Sequence, residues 1–325
     1  METLPHPDGL APRLSRIAVI DIGTVTTRLL VADTDGSTIH EVVRRTVVTH
    51  LGEGLHASGR LSDDGIARVA TAVEAFVEEA EGLGARPAIA VATSAARDAA
   101  NGRDLIERIE RAGVRPRIIP GALEARLSFS GATYRLDDDD ILVADLGGGS
   151  TELVFGSARD TPEGREIEVD SARSLDVGSR RVLDMFLASD PPTDGELEAA
   201  IAWTTEEMRP FFDGLRCRPR TLITLAGTGT TLSAVKQELV VYDPELVHLS
   251  RLTGGDVSDL RARLAAMPLA ERRGVAGMDP ARADVIVAGA LILETIMALA
   301  GVDSTVVSEH DILYGLVLAE ARTSE

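Results

Sequence analysis

The sequence predicts an α/β protein built as two similar domains around a shared cleft. Three observations carry that prediction. Apolar runs of strand length alternate with stretches of helical period along the chain. At 325 residues and 44% hydrophobic content, the chain is long enough to bury two cores. One pattern also occurs twice: residues 17–33 read IAVIDIGTVTTRLLVAD, and residues 141–156 read ILVADLGGGSTELVFG. Each copy is an apolar strand ending in Asp, a turn of glycine and small or hydroxyl-bearing residues, and a returning apolar strand. Asp21 and Asp145 lie 124 positions apart, about one domain length.

Strands are expected at 17–22, 28–33, 39–48, 87–92, 115–119, 141–145, 152–156, 166–172 and 221–225. A helix is expected over 62–80, where Ile66, Val69, Ala70, Val73, Phe76 and Val77 recur at three and four spacing. Ser62 can cap its start, and Gly82 and Gly84 should stop it. A second helix is expected over 282–300, where Ile286, Leu291, Leu293, Ile296 and Leu299 make the pattern nearly too apolar for a surface helix. The run Asp137–Asp140 reads as a solvated loop, with attraction of a metal as the lesser alternative. The expected division gives one domain over 14–127, with 311–325 returning to it, and another over 128–310.

The charge balance limits the partners. There are 33 Lys+Arg against 52 Asp+Glu, a formal net charge of −19. Residues 1–127 carry 15 basic and 18 acidic groups, net −3, and residues 128–325 carry 18 and 34, net −16. No broad basic face is available to release counterions, so a nucleic-acid partner is not expected. Any polyanion has to be held by local ligands, and a phosphate chain should follow the near-neutral first domain. The basic residues are 32 Arg and one Lys, Lys236, and no G-x-x-x-x-G-K-[ST] loop occurs. A single cysteine, Cys217, forbids an internal disulfide and fits a reducing compartment. With no run of 18 apolar residues and no apolar stretch near the N-terminus, neither a membrane partner nor a signal peptide is expected. The expected location is the cytoplasm.

Several turns could do chemistry. In DLGGGST, Gly147, Gly148 and Gly149 let backbone N–H groups converge on an anion without Cβ interference. Ser150 and Thr151 add hydroxyls, while Asp145 and Glu152 are carboxylates able to hold Mg²⁺ directly or through water. An ordinary glycine-rich hairpin is the plain alternative. In DIGTVTTR, Asp21, Gly23, Thr24 and Thr26 could make a matching turn. In LAGTGTTLSAV, Gly227, Thr228 and Gly229 follow a strand and open a helix, a ready anion site or simply a helix start. In ATSAARDA, Thr93 and Ser94 follow a strand, and Arg97 could reach phosphate oxygens bidentately or point to solvent. In PGALEARLSF, Glu124 falls in a first helical turn. Helix-dipole complementarity alone would favour it there, but at a domain junction it could also serve as general base.

These motifs, in this order and with RADVIVAGALIL near the end, resemble the exopolyphosphatase/guanosine pentaphosphate phosphohydrolase family of the actin–Hsp70–sugar kinase superfamily. The likeness spans roughly residues 15–320, and the closing SEHDILYGL is similar to a shorter, two-domain actinobacterial branch. The resemblance implies two ribonuclease-H-like α/β domains with an interdomain cleft and Mg²⁺-dependent hydrolysis of terminal phosphoanhydrides, with Mn²⁺ as an alternative ion. It implies Glu124 as the catalytic base and Asp145, Glu152 and Asp21 around the metal. It assigns phosphate contacts to Thr24, Thr26, Ser94, Arg97, Gly147, Gly148, Gly149 and Ser150, and to Gly227, Thr228 and Gly229. Inorganic polyphosphate is the expected substrate and guanosine pentaphosphate the alternative. A non-catalytic sensor of either and a sugar kinase are further readings, and a homodimer is expected. Two positions depart from the family pattern. Val25 stands where Asn is usual, and Leu313–Tyr314 stand where Arg-Glu usually precedes Gly315.

Overall fold

The computed structural model describes residues 14–85, 88–161 and 164–322. The first half contains β1 (Ser15–Ile22), β2 (Thr26–Thr34), β3 (Ile39–Val48), α1 (Leu55–Ser58), α2 (Asp63–Gly82), β4 (Ile89–Ala92), α3 (Ser94–Asp98), α4 (Gly102–Glu110), β5 (Arg117–Ile118) and α5 (Gly121–Ala132). Next come β6 (Asp138–Leu146), β7 (Thr151–Thr161), β8 (Gly164–Leu175), α6 (Ser179–Phe186), α7 (Asp194–Asp213), β9 (Thr221–Leu225) and α8 (Ala226–Lys236). The chain closes with α9 (Pro244–Val247), β10 (Arg251–Thr253), α10 (Gly254–Ala265), α11 (Leu269–Arg272), α12 (Ile286–Ala300), β11 (Ser304–Val307) and α13 (Ile312–Arg322).

The repeated sequence pattern becomes a repeated topology. One sheet runs β3-β2-β1-β4-β5, and the other runs β8-β7-β6-β9-β11 with β10 added at its edge. In both, the first three strands are antiparallel and the next two join in parallel. This is the ribonuclease-H-like arrangement, present twice. The hairpin registers also correspond: Asp21 sits opposite Arg28, and Asp145 sits opposite Glu152.

Helices cover both faces of each sheet. On the first sheet, α2 and α4 pack on one face and α13 on the other. On the second, α5 covers one face while α7, α8, α10 and α12 build the larger core on the other. Ser62 caps α2 by accepting from the Gly65 N–H at 3.1 Å, and its buried stripe includes Ile66, Val69, Val73 and Phe76. Gly82 is still helical; the chain turns at Gly84, whose φ is +72°. The helix expected from 282 starts at Ile286, after turns, and all but three of its 15 residues are buried. Enclosure within the second core accounts for that composition.

The boundary expected at 127 cuts through α5 instead of a linker. Leu127 packs with α13 and the first sheet, while Ala125, Phe129 and Ala132 pack on the second. One helix therefore serves both halves. It crosses α13 at backbone contact: a Cβ on Gly131 would collide with the Asp311 carbonyl, and one on Gly315 with the Leu127 carbonyl.

Other expectations also change. The strand read over 115–119 shortens to Arg117–Ile118, and that read over 87–92 is seen as Ile89–Ala92, Pro87 lying outside the described residues. The acidic run is a solvated loop only at Asp137, which is exposed ahead of β6. Asp138–Asp140 open β6, Asp138 accepts from Thr221, and Asp139 and Asp140 pair with Arg159 and Arg216. Asp138 pairs with Ala158 of β7, Asp139 and Asp140 sit in a bulge where the Asp140 carbonyl accepts from the Arg220 N–H, and arginines on neighbouring segments neutralise the charge. Among the described residues, no helix is long and apolar enough to cross a membrane.

Candidate active site

The two glycine turns are closed by the same bond. The Gly23 N–H donates to Thr26 O at 2.9 Å, and the Gly147 N–H donates to Ser150 O at 3.0 Å. The turns then face each other across the cleft at a distance only glycine permits. A Cβ on Gly149 would lie 2.5 Å from Ser94 Oγ and 2.7 Å from Thr24 Oγ1, and one on Gly148 would strike Val25. Val25 thus fills the place of a polar side chain with a methyl packed on the glycine turn.

Between the turns lies a cavity of about 80 Å³, room for roughly one phosphate ion or a few waters. Its wall includes Asp21, Thr24, Thr26, Ser94, Glu124, Asp145, Gly147, Gly148, Gly149, Ser150, Glu152, Gly227 and Thr228. Ala226, at φ +61°, holds a left-handed backbone at the start of α8, a local strain of about 1 kcal/mol kept where the cavity needs the following N–H groups. Two expected residues are not in the wall. Gly229 packs against Thr224. Arg97 stands behind Glu124, donating to Glu124 Oε2 at 3.0 Å and to Ile119 O at 3.1 Å. Nη1 of its guanidinium holds the carboxylate, and a quarter of the side chain stays exposed.

Each carboxylate is fixed by neighbours of its own. Asp145 Oδ2 accepts from Ser128 Oγ at 2.6 Å. Glu152 Oε1 accepts from Ser150 at 2.8 Å and from Ser174 at 2.6 Å. Asp21 Oδ2 accepts from Arg28 Nη2 at 2.6 Å, and Arg28 extends its other arm to Asp311. Burial pushes all four carboxyls up. Asp145 rises to about 6, and Glu152, with Asp145 beside it, to about 7. Glu124, buried and facing the charge of Glu152, rises furthest, to about 9, with Arg97 pulling against the rise. Asp21 is raised mainly by burial, against Arg28. Burial pulls the Arg28 guanidinium down, but Asp311, Asp21 and Asp145 outweigh it, so its net shift is upward.

Among the described residues, no three His, Cys, Asp or Glu side chains converge as a metal cage. Asp21, Asp145 and Glu152 are therefore not one preformed ligand set, because Asp21 is committed to Arg28. A substrate-completed site does fit. Asp21 Oδ1 is a buried oxygen without a partner, burial raises the pKa values of Asp145 and Glu152, which a cation would offset, and Mg²⁺ usually takes one or two carboxylates plus water and phosphate oxygens.

The site also contains residues not singled out from the sequence. Arg28 and Arg282 line the cavity; Ser128 and Ser174 orient its carboxylates. Arg28 was findable from hairpin register, since it occupies the position matching Glu152. Ser128 lies one helical turn beyond Glu124, also a readable signal. Ser174 and Arg282 had none, because their places depend on distant packing. Arg282 lies directly against Gly227, where any Cβ would collide with its guanidinium. The two departures at the C-terminus are core residues here: Leu313 is 0% and Tyr314 4% exposed, with Tyr314 stacked on His310 at a 4.0 Å centroid distance.

The raised carboxyl pKa values carry a stability prediction. A carboxyl whose folded pKa exceeds its unfolded value binds more protons when folded, so its stabilisation is full below about pH 4 and lost as pH rises through the folded pKa. The ligand-free protein should therefore lose thermal stability between about pH 5 and pH 9. Scanning calorimetry checks this, and Glu124→Gln should flatten the alkaline part of the slope. An unchanged slope in the mutant would assign the loss elsewhere.

Comparison with known proteins gives a consistent pattern. Residues 30–320 match the model of the Ppx/GppA phosphatase family. Exopolyphosphatase 2 of Mycobacterium tuberculosis H37Rv is 40% identical over 329 residues, covering 95% of this chain and 99% of its own. The crystal structure of an exopolyphosphatase-like protein superposes with a TM-score of 0.89 at 35% identity, covering 96% of this chain and 99% of that one. An exopolyphosphatase from Cytophaga hutchinsonii gives a TM-score of 0.85 at 27% identity, covering 95% and 98%.

Proposed function

This chain belongs to the Ppx/GppA phosphatase family, and from that premise we propose that it hydrolyses the terminal phosphoanhydride of inorganic polyphosphate and releases orthophosphate. The observation that carries the reading is the pairing of two glycine turns over a cavity sized for one phosphoryl group, with Glu124 buried at its edge. The relatives named exopolyphosphatase favour polyphosphate over a guanosine polyphosphate.

In this mechanism Glu124 takes a proton from water as the water oxygen bonds to the terminal phosphorus. The bridging P–O bond breaks in line, and the shortened chain leaves with the electron pair. Burial makes Glu124 a strong base once ionised, and Arg97 keeps it oriented and supports the ionised form. N–H groups of the Gly147–Gly149 turn and the start of α8, together with Thr24, Ser150 and Arg282, meet the charge on the phosphoryl oxygens. A magnesium ion at Asp145 and Glu152 would supply further neutralisation of those oxygens.

The test is a side-by-side measurement of orthophosphate release from long-chain polyphosphate, tripolyphosphate and guanosine pentaphosphate, with and without Mg²⁺. The expected order has polyphosphate fastest and Mg²⁺ required. Faster release from guanosine pentaphosphate would overturn the substrate assignment, and no release from any of the three would leave a binding protein.

A further inference from the structure

The catalytic cavity has two neighbours of unequal size. Past Arg28, Ala226, Gly227 and Arg282 it adjoins a cavity of about 830 Å³, whose wall includes β3 and the 274–280 segment. Past Thr24, Ser94, Gly148 and Gly149 it adjoins one of about 200 Å³ at α1, α3 and α6.

We propose that these are separate doors: the polyphosphate chain threads in through the large cavity, and orthophosphate leaves through the small one. The inference rests on the phosphoanhydride-hydrolase reading. A catalytic cavity of about 80 Å³ holds only the terminal unit. The remainder of the chain must occupy a neighbouring space, and only the large one has room for several units. With the chain filling the large-cavity side, the small cavity is the opening left for the product. The leaving chain departs on the large-cavity side, and the phosphorus inverts away from it. The new orthophosphate, made by forming the water O–P bond and breaking the bridging P–O bond, borders the other opening through Thr24, Ser94, Gly148 and Gly149. It can leave while the chain stays bound and advances by one unit.

The charges at the two doors agree with these roles. The wall of the large cavity carries Arg28, Arg44 and Arg282 alongside Asp279, Glu309 and Asp311; Arg28 and Arg44 are held closely by carboxylates, whereas among the described residues the ion pair of Arg282 is a long one, to Asp279 at 3.7 Å. Burial lowers the Arg282 pKa, leaving a guanidinium short of counter-charge where the chain meets the catalytic cavity. At the small door the charges are matched. Arg181 pairs with Asp98 at 2.7 Å, and Arg180 pairs with Asp184 at 3.0 Å. A matched rim holds an anion weakly, as an exit must. The Arg181–Asp98 pair also joins α6 to α3 across the two halves, so a small relative movement would widen this door.

Two exposed residues outside the catalytic machinery test the assignment. His56 lies on the rim of the small cavity and Thr46 on the wall of the large one. His56→Trp should preserve a rapid first release of one orthophosphate per enzyme, then slow steady turnover severalfold on both long-chain polyphosphate and tripolyphosphate, with KM for long chains unchanged. Thr46→Glu should raise KM for long chains by roughly two- to fivefold, the scale of one exposed charge, with little change for tripolyphosphate. Circular dichroism establishes that the variants fold, and Leu55→Trp replaces His56→Trp if it does not. The proposal is overturned if the small-door variant raises KM without slowing turnover, or if Thr46→Glu affects both substrates equally or acts only on guanosine pentaphosphate. It is overturned too if either variant behaves as wild type. A wild-type protein that releases no orthophosphate defeats the hydrolase reading itself, whereas any of these outcomes in an active enzyme defeats only the routes.

Discussion

Glu124→Gln is expected to lower orthophosphate release from polyphosphate by about 10²- to 10⁴-fold, the usual contribution of a positioned general base. The substitution keeps the size of the side chain and an oxygen for Arg97 to hold, but removes the proton acceptor. KM should change little, because the phosphate ligands proposed above lie on the glycine turns, on α8 and at Arg282. The folded protein should be no less stable, since the change removes a carboxyl that is buried and faces Glu152. Single-turnover kinetics and a melting curve decide the matter together. A fall in rate of less than tenfold would remove Glu124 as the base, and a large fall in melting temperature would reassign its role to structure.

Gly315→Ala is expected to destabilise the protein by about 1–3 kcal/mol or more, because its Cβ would strike the Leu127 carbonyl and force α13 away from α5. The effect should reach the site. Asp311, in the turn that leads into α13, binds Arg28, and Arg28 in turn holds Asp21. Displacing the helix therefore loosens one wall of the cavity, and activity should fall at temperatures where the protein is still folded. Gly82→Ala is the control. That glycine is helical and exposed, and a Cβ added to it would meet nothing within 4 Å, so the change should stabilise by about 0.5–1 kcal/mol. Equal melting temperatures for Gly315→Ala and wild type would show that the helix crossing yields without cost.

Much of the fold was legible because it is local. A strand ending in Asp, a glycine turn and a returning strand specify a hairpin through backbone hydrogen bonds and the lack of Cβ atoms, and finding two copies implied two sheets. The stripe over 66–77 specified α2 in the same way. Expectations failed where neighbours decided the outcome. The acidic run became strand because Arg159 and Arg216 lie beside it. Position 127 falls inside α5, whose two apolar faces each meet a different sheet.

The candidate site divides along the same line. Sequence alone determined the glycine turns, the carboxylates Asp145 and Glu152, and a glutamate at the start of a helix. It also determined that a chain of net charge −19 must hold an anion by local ligands. Only the tertiary structure decided which groups meet. Arg97 was placed on Glu124, Arg28 between Asp21 and Asp311, Ser174 on Glu152, and Arg282 against Gly227. Hairpins form from bonds between residues a few positions apart, so their pattern is written in adjacent residues. The Arg28–Asp311 pair spans 283 positions, and such contacts exist only once α13 has packed back onto the first sheet.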